Sequence, residues 1–315
     1  MAMTWGLFYI LVFPGFLFLS AYGLFVEYAD RKMYALMQNR VGPPVYQPLA
    51  DIIKLIGKET IIPEDADEKM FRLLPVFALA AATTSIFYIP IWGTQSLLPF
   101  KGDIIVVLYL LTIPTLTFFL AGWHSKSLYS AIGSVRALTQ LFAYEVPLFM
   151  AILGPALLAG TWSLSEIAEF YRIHPWYALA NIPGLAVALV AAQGKLERVP
   201  FDIPDAETEI VAGTFTEYSG KLLALFRMTM DVEMIVLSAL LAAVFIPFFV
   251  TGNAFLGFLL FVVKTMVIVF LLCLFRTVMA RIRIEQMINL CWKYLAPIAL
   301  IQILIDLLLK GVLPV

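Results

Sequence analysis

The sequence predicts an all-α polytopic membrane protein with about eight transmembrane helices, and two observations carry that reading. Apolar residues make up 62% of the chain and charged residues 14%, with a mean hydropathy of +0.93, against an apolar share of roughly 45–50% in soluble domains. The apolar residues also fall into eight runs near the ~20 residues that cross ~30 Å of hydrocarbon. These lie at about 4–26, 73–92, 103–123, 141–161, 176–193, 222–250, 254–276 and 294–313. The 315 residues therefore read as one integral membrane domain, 1–315, of a multi-pass protein of the cell membrane.

The first run begins almost at Met1, with no lysine or arginine before it and no small-residue cleavage site behind it, so it reads as an anchor and not a removable signal peptide. The loop that follows, 27–72, carries an amphipathic stretch at 47–59. Loops after the first, third, fifth and seventh runs hold sixteen lysines and arginines, whereas the opposite side holds only Lys101, Arg172 and Lys310. By the positive-inside rule both termini face outward, and 27–72 and the acidic loop 194–221 face the cytoplasm.

Several chemistries drop out. A net charge of −1 offers no basic face for nucleic acid. Cys273 and Cys291 lack the C-x-x-C spacing of a zinc or iron–sulfur site, and read as buried apolar residues. With this topology the bilayer separates His124 from His174, which excludes a bis-histidine haem. No Gly-rich phosphate loop, Ser–His–Asp set or H-E-x-x-H helix is present, so the chain is not expected to change a bond alone.

Charges where charges are expensive are the remaining signal. An ionised side chain at a helix centre costs about 2.5–3.5 kcal/mol on insertion scales and marks a cavity, a partner or an ion path. Glu145, in "LFAYEVPLFM", is followed closely by Pro147, which loosens a helix and lets water approach; snorkelling to the interface is the alternative. In "FRMTMDVEMIV", Arg227 and Asp231 stand at i, i+4 and are expected to neutralise one another, leaving Glu233 unpaired. Lys264, in "FLLFVVKTMV", either pairs with a carboxylate or titrates. Asp306 is within helical reach of Lys310 at i+4.

The stretch "ERVPFDIPDAETEIVAGTFTEYSG", residues 197–220, packs six carboxylates against Arg198. Helix capping accounts for part of it: Asp202 as N-cap, Pro204 in the first turn, then Asp205 and Glu207 at the positive end of the dipole. Capping leaves Glu197, Glu209 and Glu217 unexplained, and acids crowded in this way share protons, which fits a relay.

That stretch, with "RALTQLFAYEVPL", "MQNRVGPP", "QPLADIIKLIGKE" and "CWKYLAPIALI", resembles the H subunit of respiratory complex I through most of the chain. The resemblance implies a membrane anchor on which a soluble electron-transfer arm docks, linked to ion-pumping subunits by a line of buried glutamates. On that line fall Glu145, then Asp202, Asp205, Glu207, Glu209 and Glu217 of the acidic loop, with Asp231, Glu233, Lys264 and Asp30; Asp30 takes the place of a glutamate usual in the family. Near span 6 the family's glutamate falls nearest Met230, so that either Asp231 or Glu233 replaces it. Arg31, Arg40, Lys54, Lys58, Glu59 and Arg198 would form the docking face.

One departure refines the resemblance. Only Pro44, Val45 and Tyr46 separate Pro43 from Gln47, where quinone-reducing members carry a longer insertion that helps form the quinone chamber. The shortened loop is similar to that of membrane-bound nickel–iron hydrogenases and their sulfur-reducing relatives, driven by ferredoxin. That type implies hydrogenase-like large and small soluble subunits, an iron–sulfur subunit and antiporter-like membrane subunits as partners, with the NiFe centre and iron–sulfur clusters on those partners and no cofactor in this chain. Two alternatives stay open: a quinone-binding member of the same family within NADH:quinone oxidoreductase, and a stand-alone cation/proton antiporter, which predicts an inverted repeat that the two halves do not show.

Overall fold

The computed structural model describes residues 2–246, 248 and 253–312. The last residues expected in the sixth span, residue 313 of the eighth and the side chain of Glu207 lie outside them. Among the described residues the chain is helical without strands, and eight helices are long and apolar enough to cross a membrane.

Helix α1 (Ala2–Leu11) stops at a turn containing Pro14 and Gly15, where a Cβ on Gly15 would fall 1.9 Å from the carbonyl oxygen of Ile10. Helix α2 (Phe16–Met37) then runs past residue 26, where the span was expected to end, so Asp30 is helical and buried and does not belong to a loop. The short linker turns back through a Gln47 N–H bond to the Pro44 carbonyl at 3.1 Å into α3 (Gln47–Gly57). Leu49, Ile53 and Ile56 of α3 are exposed, as suits an amphipathic helix lying along a membrane surface. Asp67 caps α4 (Glu68–Ser85), accepting from the Lys69 and Met70 amides at 3.1 and 3.3 Å.

Helices α5 (Asp103–His124) and α6 (Leu128–Ala159) form an antiparallel pair. The expected start of the fourth span at 141 is corrected to Leu128. The segment 128–140 carries small and polar residues that lower its hydropathy, and the face bearing Ser130, Gly133, Ser134, Ala137 and Gln140 is covered by protein. A Cβ at Gly133 would lie 2.6 Å from the amide of Thr214, so the acidic loop packs directly on this helix. After α7 (Leu164–Ile173) and a 3-10 stretch (Pro175–Asn181), α8 (Ile182–Lys195) returns across the bundle.

The segment 196–219 is irregular apart from α9 (Glu207–Ile210) and a turn, Gly213–Phe215. Ala206, not Asp202, precedes α9, so the expected helix start at Asp202 is not formed. Burial of Phe201, Ile203, Phe215 and Tyr218 holds the loop; the Tyr218 ring stacks on Phe71 at 3.9 Å between centroids. Helix α10 (Gly220–Phe245) is the axis of the molecule, buried at every residue from Val232 to Ala242, as expected of a helix apolar on all sides. Helix α11 (Ala254–Val278) flanks it; α12 (Ile284–Leu290), a π-turn (Cys291–Leu295) and α13 (Ala296–Val312) form the last span.

Loops after the odd-numbered spans gather at one end: Ser219 receives the Ile61 amide at 3.0 Å, and Arg136 pairs with Glu209 at 2.6 Å. At the other end Asp103 accepts the Leu164 amide at 2.6 Å.

Candidate functional site

At the end where the charged loops converge, α2, α3, α10 and the 196–205 segment enclose a cavity of about 630 Å³. Its wall is charged, because eleven of its seventeen lining residues are acids, lysine or arginine. Arg31 ties α2 to α3, pairing with Glu27 on its own helix and with Asp51 at 2.9 Å, which also receives Gln47 at 2.8 Å. Arg40, Lys58 and Glu59 remain exposed outside the cavity, and Lys54 is exposed at its wall.

Asp30 forms the cavity's inner corner. It is 1% exposed and accepts from two guanidinium groups, Arg198 at 2.7 Å and Arg276 at 2.9 Å. Arg276 also lies over the Tyr34 ring, 4.3 Å from its centroid. Arg198, expected on an open docking face, is corrected to this internal role: it turns inward because a buried carboxylate needs a paired cation, and Asp30 is such a carboxylate. The expected Arg227–Asp231 ion pair is likewise absent: no guanidinium nitrogen of Arg227 lies within 4 Å of the Asp231 carboxylate, and both residues line the cavity, with Arg227, Arg198, Arg31 and Glu27 all within electrostatic reach of Asp231.

Deeper, α8 ends in a Schellman turn whose left-handed residue is Glu197, at φ 50°, with the Glu197 amide bonded to Gly194 and the Arg198 amide to Gln193, each at 3.2 Å. Glycine is favoured there, and a side chain costs roughly 1–2 kcal/mol. That turn aims a buried carboxyl whose two oxygens have no hydrogen-bond partner. Burial pushes the Glu197 carboxyl well above the usual carboxylate range; Asp205 and Glu233 push the same way, against Lys195 and Arg227.

Because its folded pKa exceeds that of an unfolded glutamate, about 4.3, Glu197 supports the fold fully only below that pH, and its contribution is lost as pH rises toward the folded value. Glu197→Gln is therefore expected to raise the thermal midpoint of the purified complex at pH 8 by several degrees, with the gain shrinking toward pH 5. Scanning calorimetry at both pH values checks this, and a pH-independent difference would contradict it.

One turn further in, Lys195 forms a fully enclosed ion pair with Glu233 at 2.7 Å, both side chains 2% exposed. The ammonium also donates to the Leu111 carbonyl and stands 5.9 Å from the Tyr144 ring, whose hydroxyl is 3.2 Å from that of Thr115. Gln140 fastens the turn, donating to the carbonyls of Gly194 at 2.7 Å and Phe201 at 2.9 Å. Glu145, adjacent to Tyr144 and half-buried, lies within electrostatic reach of Lys195. Glu233, expected to be unpaired, is thus the paired acid.

Other expected residues stand apart from this line. Asp202 meets Arg281 at 3.2 Å, and Arg136, at 2.6 Å, holds exposed Glu209 below the usual carboxylate range. Glu217 is half-buried with no ion pair among the described residues, and Glu207 lies in α9. Lys264, half-buried on α11, has no carboxylate of the described chain within ion-pair distance. Sequence reasoning missed Lys195, counted among loop cations, and Gln140. The signal was the shortness of α8, whose last residue consequently lies inside the bundle.

The family model described as NADH dehydrogenase matches residues 9–307. The chain is 35% identical over 317 residues to the H subunit of NADH-quinone oxidoreductase from Brevibacillus brevis, covering 96% of this chain and 94% of that protein. It is 36% identical over 321 residues to the protein of the same name from Bacillus mycoides, with 98% and 96% covered. Among solved structures, a chain of the membrane-bound sulfane sulfur reductase, an archaeal respiratory membrane complex, superposes with a TM-score of 0.83 at 26% identity, covering 92% of this chain and 96% of that one.

Proposed function

The chain belongs to the NADH dehydrogenase family, as a membrane subunit of the complex-I-like H type, and on that premise we propose that it couples electron transfer in a docked soluble arm to ion translocation across the cell membrane. The single observation carrying this is the line of buried charge from Asp30 through Glu197 to the Lys195–Glu233 pair and Glu145. It begins in a cavity beneath the exposed cations of the first loop and ends inside the bundle. In this reading the basic loops face the cytoplasm and Arg40, Lys54 and Lys58 meet the soluble arm. A change of charge at the cavity moves protons along the line, because each neutralisation alters its neighbours.

The electron donor in this reading is ferredoxin, and the assembly is of the membrane-bound hydrogenase or sulfane sulfur reductase type. The turn at Pro44 leads directly into α3 without a chamber-forming insertion. A cavity wall dominated by ionisable side chains suits water and protons better than an isoprenoid tail. Among the described residues no group of three or more His, Cys, Asp and Glu is placed to hold a metal. In this reading the NiFe centre and iron–sulfur clusters belong to soluble partners. A second reading, quinone reduction, is favoured by the 35–36% identity to NADH-quinone oxidoreductase subunits.

Purification of the complex in mild detergent separates the two. Nickel with iron–sulfur clusters, or clusters alone with sulfur reduction, is expected together with ferredoxin-driven turnover insensitive to quinone analogues. Photolabelling of this chain by a quinone analogue would establish the second reading instead. In reconstituted vesicles, Glu145→Gln is expected to keep assembly and electron transfer while lowering coupled transport at least fivefold; unchanged transport would return Glu145 to a snorkelling role.

A further inference from the structure

A second polar site lies in the half of the bundle away from the cavity. Asp306 of α13 is 0% exposed, and Gln302, one turn earlier, is 1% exposed. Asp306 does not reach Lys310 as the i+4 spacing suggests: the Lys310 ammonium instead lies by Gly160, at the end of α6. Gln302 Nε2 donates to Asn181 Oδ1 at 2.8 Å and stands 3.4 Å from Asp306 Oδ2, and Asn181 Nδ2 donates to Tyr171 Oη at 2.6 Å. Two glycines make the room. A Cβ at Gly154 would fall 2.6 Å from Asp306 Oδ2, and one at Gly184 2.2 Å from Gln302 Oε1.

The hydrogen-bond inventory of this cradle is unbalanced. Asp306 Oδ1 and Gln302 Oε1 are both acceptors, both buried and both without a donor. No cation pairs with Asp306 among the described residues, and Tyr171 is the titratable group within its electrostatic reach; Glu145 on α6 and Lys195 on α8 stand farther along the bundle, and Lys310 lies by Gly160. An ionised carboxylate here would lack both a counter-charge and enough donors, at a cost of several kcal/mol. A proton on the carboxyl removes the charge and supplies the missing donor. A hard cation such as sodium would need several oxygen ligands, and Asp306 Oδ2 is already turned toward an amide N–H.

We propose that Asp306, cradled by Gln302, Asn181, Gly154 and Gly184, is a proton-holding site that carries the coupling path of Glu145 into the far half of the bundle. The extension to coupling rests on the proposed function; the protonated acid does not. Gly154 follows Glu145 by nine residues of α6, about 13 Å at 1.5 Å per residue. Over that stretch Pro147 and Pro155 leave the carbonyls of Ala143 and Ala151 without their helical donors, and such carbonyls bind water within a bundle.

Infrared difference spectra of the whole purified complex test the site directly. Asp306→Asn is expected to delete the carbonyl stretch of a protonated carboxylic acid, and Gln302→Met, which keeps the acid, to shift that band. Loss of a carboxylate band, an unshifted band, or conversion of the acid band to a carboxylate band on adding sodium would each overturn the assignment. In vesicles, Asp306→Asn is expected to lower protons moved per electron at least twofold while the soluble arm keeps its turnover; an unchanged ratio would overturn its place in the path. Should the wild-type complex move no ion, the coupling reading fails, and the infrared result still decides whether the acid is there.

Discussion

Lys195→Met is expected to cut the yield of assembled complex and to abolish coupled ion transport. The side chain is 2% exposed and holds Glu233 at 2.7 Å, and removing one partner of a buried pair typically costs about 3–5 kcal/mol because the other charge is stranded. Glu233 then has one escape, which is to take up a proton permanently, and that removes from the path the exchange on which coupling depends. Lys195→Met combined with Glu233→Gln leaves no stranded charge, so the pair separates the two effects. The double variant is expected to recover most of the assembled yield, measured by subunit retention after gentle purification, yet to remain at least tenfold deficient in vesicle transport. Transport at the wild-type level in the double variant would reduce the ion pair to a packing device.

How far the sequence foretold this site depends on the kind of interaction. Eight spans were legible because runs of about 20 apolar residues have few other uses, and lipid-facing helices such as α11 keep that signal. It weakens where protein replaces lipid. The segment 128–140 of α6 is helical against the acidic loop, with Gly133 meeting the Thr214 backbone, and α2 extends to Met37 because Asp30 and Arg31 find partners there. Hydropathy registers neither. The acids were legible singly, since charge inside apolar sequence is conspicuous. Their partners were not: Arg198 and Arg276 reach Asp30 across separations that no helical spacing encodes. The i, i+4 rule favoured Arg227 with Asp231 and Asp306 with Lys310, yet neither ion pair forms: the two groups of α10 both face the cavity, Asp306 meets Gln302 and Lys310 lies by Gly160. Lys195 was hidden by its position at the end of an apolar run, where a cation ordinarily marks the membrane surface.

Asp30→Asn is expected to have the largest effect on the cavity itself. Asparagine keeps the shape but not the charge, leaving the guanidinium groups of Arg198 and Arg276, now 2.7 and 2.9 Å from one carboxylate oxygen, facing each other without a counter-ion. Arginine does not escape by losing its proton, so the repulsion has to be relieved by movement. Arg198 has a second acid within electrostatic reach, Asp231, and Arg276 is held over Tyr34. The 196–205 segment is therefore expected to swing toward α10, loosening the Schellman turn at Glu197 and the Lys195–Glu233 pair behind it. The loss is about 3–5 kcal/mol by analogy with other broken buried pairs, read as a fall of the complex's thermal midpoint and as rapid proteolysis within 196–219. Adding Arg276→Gln removes the surplus positive charge and is expected to restore most of the midpoint, because Arg198 alone is then balanced by Asp231. If Asp30→Asn melts with the wild type, or if Arg276→Gln fails to rescue it, charge balance is not what closes the inner corner of the cavity.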